Sequence, residues 1–150
     1  MNEFRKRPKG SFLSEASWSE LYVLTRYWKS DLEFYREDLT FLNKLIQKYF
    51  IWISTDENYK EVGKLQAELK KVAFQNQDLL EKTKKHLLQL GSMIENETEE
   101  NNGRLFRIEH EHLENEIVDF VKAFRANRRE VFKITEKVID NEDLSGLMSS

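Results

Sequence analysis

The chain is patterned by apolar residues that recur at alternating intervals of four and three positions. The first series is Trp28, Leu32, Tyr35, Leu39, Leu42, Ile46, Tyr49 and Ile53. This spacing places every member on one face of an α-helix and is the heptad pattern of coiled coils. Ser17 and Glu20 form a capping-box sequence just before the series. The pattern therefore predicts a first helix over about 17–53.

Two further series predict two more helices of similar length, over about 57–95 and 104–140. The first comprises Val62, Leu65, Leu69, Val72, Asn76, Leu79, Thr83, Leu87, Leu90 and Ile94. The second comprises Phe106, His110, Leu113, Ile117, Phe120, Phe124, Asn127, Val131, Ile134 and Val138. Residues 95–103, which close with Asn101-Asn102-Gly103, are typical of a loop. Gly63 and Gly91 indicate a late start and an early end of the second helix.

Short connections between long helices favour antiparallel neighbours. We therefore expect an all-α fold, an elongated antiparallel up-down-up three-helix bundle of coiled-coil type, forming one domain over residues 17–141. Residues 1–16 are predicted to be a mobile basic arm and residues 142–150 a frayed tail. The inward Asn76 and Asn127 fix the helix register in one interpretation and line a polar binding pocket in the other.

A second apolar stripe runs beside the first series on helix 1. Tyr27, Phe34 and Phe41 lie seven residues apart, at a g-like heptad position, and Trp52 extends the stripe. Aromatic side chains are favoured both in cores and as interface anchors. A three-helix core that absorbs them is one alternative. In the other, they form a surface for a protein partner or for self-association, and dimerisation completes the bundle.

The amino-acid composition excludes several classes of protein and of functional site. The chain has no Cys, which excludes a disulfide scaffold, a Cys-ligated zinc site and a thiol nucleophile. It has no apolar run long enough for a membrane span, and its first 30 residues lack the apolar segment of a signal peptide, so a cytoplasmic location is expected. The formal net charge of −3 does not favour nucleic-acid binding.

The charges are concentrated near two chain segments. Arg5, Lys6, Arg7 and Lys9 make the N-terminal arm basic. A weak contact of this arm with anionic lipid or phosphate is one interpretation. The residues Glu95 to Glu100 are predicted to lie at the same end of the bundle, so we also expect weak, salt-sensitive docking of the arm there.

The histidines offer the only candidate metal chemistry. Glu109 and His112 have the spacing by which di-iron bundles present ligands, but no second Glu-x-x-His occurs. A leaner metal site would use His86, Glu109, His110 and His112. The alternative is a buried semi-polar layer made of Thr25, Thr83, His86, His110 and Glu114. In that layer His110 is a hydrogen-bonded core histidine.

The sequence gives no reason to expect catalysis. No Gly-rich phosphate loop and no Ser/His/Asp arrangement is present, so no cofactor and no catalytic residue are predicted. We expect a non-enzymatic helical module for protein–protein interaction or self-association, acting through the helix 1 aromatics. A metal-binding helical bundle is the alternative.

Overall fold

The computed structural model describes residues 16–50, 56–96 and 100–142. All of these residues except Ala16 and Ser17 are helical. Helix α1 spans Trp18–Phe50, α2 spans Asp56–Asn96 and α3 spans Glu100–Glu142. Each helix contacts both others. The predicted all-α three-helix bundle is therefore confirmed.

Helix α1 begins at the predicted capping box. The Ser17 amide donates to Glu20 Oε1 at 2.9 Å, and the Glu20 amide donates to Ser17 Oγ at 3.1 Å. These reciprocal bonds satisfy two backbone donors that the first helical turn leaves free. Hydrogen bonds from the Ser17 amide and the Ser17 side chain lower the pKa of the Glu20 carboxyl, since they favour its ionised form.

The heptad series forms the buried face of α1, as predicted. The buried residues are Trp18, Leu21, Thr25, Trp28, Leu32, Tyr35, Leu39, Leu42, Ile46 and Tyr49. Assigning Leu32 to heptad position a places every one of them at position a or d. Packing of this one face against α2 and α3 therefore accounts for the position of the whole helix.

Ion pairs between α2 and α3 show the relative direction of the two helices. Lys82 Nζ lies 3.1 Å from Glu116 Oε2, and Lys137 Nζ lies 2.8 Å from Glu61 Oε1. The partners run in opposite order along the two helices, as they do between antiparallel neighbours. The hydrogen bonds that the Lys82 ammonium donates to the Glu116 and Asp78 carboxylates raise the pKa of Lys82.

Contacts between α1 and α3 run in the same order along both helices. Arg107 Nη1 donates to the Ala16 carbonyl at 2.8 Å, and Arg128 Nε donates to Asp38 Oδ2 at 3.1 Å. The Arg107 guanidinium also lies 4.2 Å from the centre of the Trp18 ring. Cation–π and hydrogen-bond contacts thus fasten the start of α1 to α3.

Two boundary predictions are wrong. The loop expected up to Gly103 ends sooner, because α3 begins at Glu100 and includes Asn101-Asn102-Gly103. Gly103 is buried there, so packing outweighs its low helix propensity. Gly63 and Gly91 mark no helix end either, since both lie inside α2.

These two glycines give a stability prediction. A Cβ atom added at Gly63 or Gly91 would have no heavy atom within 4 Å. Alanine costs less backbone entropy than glycine in a helix, so Gly63→Ala and Gly91→Ala should each raise the free energy of unfolding by about 0.5–1 kcal/mol. Urea unfolding followed by circular dichroism measures this. A loss of stability in both variants would contradict their placement inside α2.

Several predicted features lie outside the described residues. They are the arm residues Arg5, Lys6, Arg7 and Lys9, the contact of that arm with the acidic segment, the interface residue Trp52, and the tail beyond Glu142.

Candidate functional site

The aromatic stripe of α1 lies on the surface. Tyr27, Phe34 and Phe41 are 66%, 61% and 51% exposed. Of the two alternatives, burial in a three-helix core is therefore wrong for these three residues. We call them the α1 aromatic stripe.

Heptad geometry explains this exposure. Each stripe residue directly precedes a buried d residue, namely Trp28, Tyr35 or Leu42. The stripe therefore occupies position c, and the predicted g-like position is wrong. Because each residue turns the helix by about 100°, position c points well away from the a/d seam. Side chains at this position have no neighbouring helix of the bundle to cover them.

The surroundings of the stripe are mixed in character. Val23, one turn before Tyr27, is 54% exposed, while Leu24 and Leu45 are half-buried. One heptad beyond each end of the stripe, position c is charged, with Glu20 before it and Lys48 after it. The stripe is thus an apolar strip that ends in opposite charges.

The second candidate is the semi-polar layer inside the bundle. Thr25, Thr83, His86, His110 and Glu114 are all buried, as the sequence predicts. Among the described residues, the buried apolar side chains fall into two clusters. The smaller comprises Ala16, Trp18, Leu21, Leu90 and Phe106 at one end of the bundle, and the larger extends from Trp28 along its length. The polar layer lies between them.

His86 and His110 bond to each other in this layer. His86 Nε2 lies 2.7 Å from His110 Nδ1, so one ring donates and the other accepts. The ring of Trp28 stacks on His110 at 4.7 Å, and the ring of Phe106 stacks on His86 at 4.3 Å. Burial lowers the pKa of His86 to about 4. His86 is therefore neutral at physiological pH.

The structure brings together only two of the four predicted metal-site residues. Glu109 and His112 are exposed, and His112 Nε2 lies 3.9 Å from Glu116 Oε1. In the described part of the chain, no group of three or more His, Asp and Glu side chains is placed to hold a metal ion. The 2.7 Å separation of His86 Nε2 and His110 Nδ1 is a hydrogen-bond distance. Two nitrogens that both bind the same zinc ion, each at about 2.0–2.1 Å from it, lie farther apart than this.

The hydroxyl of Thr83 gives a second stability prediction. Within the described residues, buried Thr83 Oγ1 has no hydrogen-bond partner. Thr83→Val replaces this hydroxyl by a methyl group of similar shape, so it should raise the free energy of unfolding by about 1 kcal/mol. Thr135→Val is the matched control. Thr135 is also buried, but its hydroxyl donates to the Val131 carbonyl at 2.8 Å, so this change should be neutral or destabilising. Equal effects of the two changes in urea unfolding would contradict the prediction.

A polar groove between α1 and α2 helps to distinguish the two interpretations of Asn76 and Asn127, fixing the register or lining a pocket. It has a volume of about 980 Å³, and its lining includes Asn76, Gln66, Gln77 and Arg36. Asn76 Nδ2 donates to the Leu32 carbonyl of α1 at 2.9 Å, a contact that suits a register-fixing role. Asn127 is buried and is not among the residues that line the groove.

Further exposed apolar residues escaped the sequence reasoning. Phe74 and Leu88 on α2 are 74% and 77% exposed, and Leu105 and Ile108 on α3 are 58% and 59% exposed. Their heptad positions predict this exposure, since none of the four occupies an a or d position. On α2 the true d position is His86, which keeps the three-four spacing between Thr83 and Leu90.

Comparison with known proteins gives no family. No protein-family model matches this chain, and neither curated proteins nor solved structures provide a significant match. Over the described residues, none of the helices has an apolar stretch that would carry it through a bilayer.

Proposed function

We propose that this protein is a non-enzymatic interaction module whose α1 aromatic stripe anchors another protein surface. The observation that carries the proposal is the exposure of Tyr27, Phe34 and Phe41 by more than half on one helical face. Large aromatic side chains lose much unfavourable contact with water when a partner covers them. Their regular spacing suits a helix packed alongside α1.

The rest of the described surface favours binding over chemistry. Two of the buried polar contacts join helices of the bundle to each other, because His86 bonds His110 and Asn76 bonds the Leu32 carbonyl. A cytoplasmic location and a lack of nucleic-acid binding remain part of the proposal, on the sequence grounds given above.

Site-specific photo-cross-linking in living cells tests this function without assuming a partner. Benzoylphenylalanine placed at position 34 should give one discrete adduct. The same residue at position 74, which holds an even more exposed Phe on α2, should not. Adding Phe41→Glu to the first protein should remove the adduct. Identical adducts from both positions, or persistence after Phe41→Glu, would contradict the proposal.

The metal-binding bundle remains the alternative function. It would require His86 Nε2 and His110 Nδ1, which lie at a hydrogen-bond distance of 2.7 Å, to separate around an ion beside the buried Glu114. Elemental analysis of protein purified without a histidine tag decides it. One equivalent of iron, zinc or manganese that His110→Ala removes would favour this alternative over the interaction module.

A further inference from the structure

The outward face of α1 carries three aromatic residues between two ends of opposite charge. At intervals of seven residues, position c holds Glu20, Tyr27, Phe34, Phe41 and Lys48. The aromatic residues are spaced symmetrically about Phe34, and the charged ends lie equally far from it with opposite signs. All five side chains are exposed.

From this symmetry we infer that the partner of the α1 aromatic stripe is a second copy of the same chain. The two α1 helices pack antiparallel, on a two-fold axis that passes beside Phe34. This inference rests on the proposed function, because it names the partner of the same surface. A two-fold interface is self-complementary, so every contact occurs twice.

The aromatic residues meet one another in this arrangement. Phe34 packs against Phe34 of the second copy, and Tyr27 packs against Phe41 of the second copy. The half-buried Leu24 and Leu45 flank the stripe, and antiparallel pairing brings Leu24 of one copy beside Leu45 of the other. The interface is therefore apolar along its centre, where the aromatic residues lie, and at both ends of the side that carries Leu24 and Leu45.

The charges at the ends of the stripe select the antiparallel direction. Glu20 of each copy faces Lys48 of the other, which gives two attractive pairs. A parallel arrangement would set Glu20 against Glu20 and Lys48 against Lys48. Near the axis, Asp31 and Asp38 of opposite copies approach each other. Asp38 already has a counterion, since Arg128 Nε lies 3.1 Å from its Oδ2.

Cross-linking tests the direction of pairing, and the chain suits it because it contains no Cys. Ser30→Cys and Glu37→Cys change exposed residues and leave the aromatics intact. The two variants are mixed, one enlarged by a tag, and treated with a short bismaleimide. Antiparallel pairing places Cys at 30 close to Cys at 37 of the second copy, so the mixed product should dominate. In-register parallel pairing separates these two positions by seven residues, about 10 Å.

Each outcome has one meaning. Products dominated by 30–30 and 37–37 links would overturn the antiparallel pairing and leave self-association through α1 intact. The absence of any cross-link at concentrations where light scattering detects a dimer would place the interface elsewhere. A protein that stays monomeric while position 34 still gives a photo-adduct in cells would overturn the second copy as partner and leave the proposed function intact.

A charge reversal gives an independent check. Lys48→Glu turns two attractive pairs into repulsive ones, so the dissociation constant of the dimer should rise about fivefold to tenfold at low salt and less at high salt. Lys64→Glu makes the same charge change at an exposed position of α2 and should have no effect. The substitution is made at Lys48 because Glu20 also caps α1. Equal effects of Lys48→Glu and Lys64→Glu would overturn the end-to-end pairing of charges.

Discussion

Lowering the pH from 7 to 4 should reduce the free energy of unfolding by about 3 kcal/mol through His86 alone. Burial lowers the pKa of His86 to about 4 in the folded protein, against an ordinary value of 6.5. Between these values the unfolded chain binds a proton that the folded chain does not, so stability rises with pH. The contribution is complete above about pH 6.5 and is lost as the pH falls towards 4. A shift of one pKa unit corresponds to about 1.4 kcal/mol, and this conversion gives the expected loss of about 3 kcal/mol.

Urea unfolding at a series of pH values measures this effect. His86→Gln keeps a polar side chain but does not titrate, so its stability should change much less between pH 7 and pH 4. His112→Gln is the control, because the side chain of His112 is 77% exposed. It should keep the pH dependence of the unaltered protein. A full pH dependence in His86→Gln would show that groups other than His86 cause the acid sensitivity.

Trp28→Ala should cost about 3–5 kcal/mol of stability. Trp28 is fully buried, stacks on His110 at 4.7 Å and stands where the polar layer meets the larger apolar cluster. Removal of its ring leaves a cavity in addition to the lost burial. Urea unfolding at pH 7, followed by circular dichroism, measures the loss.

Two substitutions control for this change. Within the described residues, Trp28 Nε1 has no hydrogen-bond partner. Trp28→Phe therefore keeps most of the apolar contact, loses no hydrogen bond and should cost clearly less than Trp28→Ala. Tyr27→Ala alters the adjacent, exposed residue and should change stability by less than about 0.5 kcal/mol. If Trp28→Ala cost no more than Tyr27→Ala, the assignment of the two faces of α1 would be wrong.

The heptad pattern was sufficient to predict the fold. On α1 every a and d position is buried, because a long amphipathic helix has one apolar face and the partner helices cover that face. The same periodicity identified the polar layer, since Thr83 and His110 occupy seam positions. The capping box at Ser17 fixed the start of α1, because its side chains satisfy the free amides of the first turn.

On these helices, heptad position predicts which side chains are buried better than residue type does. The predicted heptad series is wrong at Leu87, because the unbroken spacing selects His86, whose ring nitrogen bonds His110. The g-like position predicted for the stripe is wrong, because its residues directly precede d residues and position c points outward. The predicted metal site failed to converge because neighbours such as Glu109 and His110 face different sides of one helix. Which helix faces stay uncovered depends on what lies beyond the chain, and periodicity within the chain does not contain that information.

Light scattering across a concentration series tests most directly our claim that the α1 aromatic stripe mediates self-association. The unaltered protein should rise from its monomer mass of 18.0 kDa towards twice that value. The double variant Phe34→Glu/Phe41→Glu should stay monomeric throughout, because assembly would bury four unpaired carboxylates. The matched double variant Phe74→Glu/Leu88→Glu, on an exposed face of α2, should assemble like the unaltered protein. A mass that stays at the monomer value at every concentration, or a dimer that survives Phe34→Glu/Phe41→Glu, would contradict the claim.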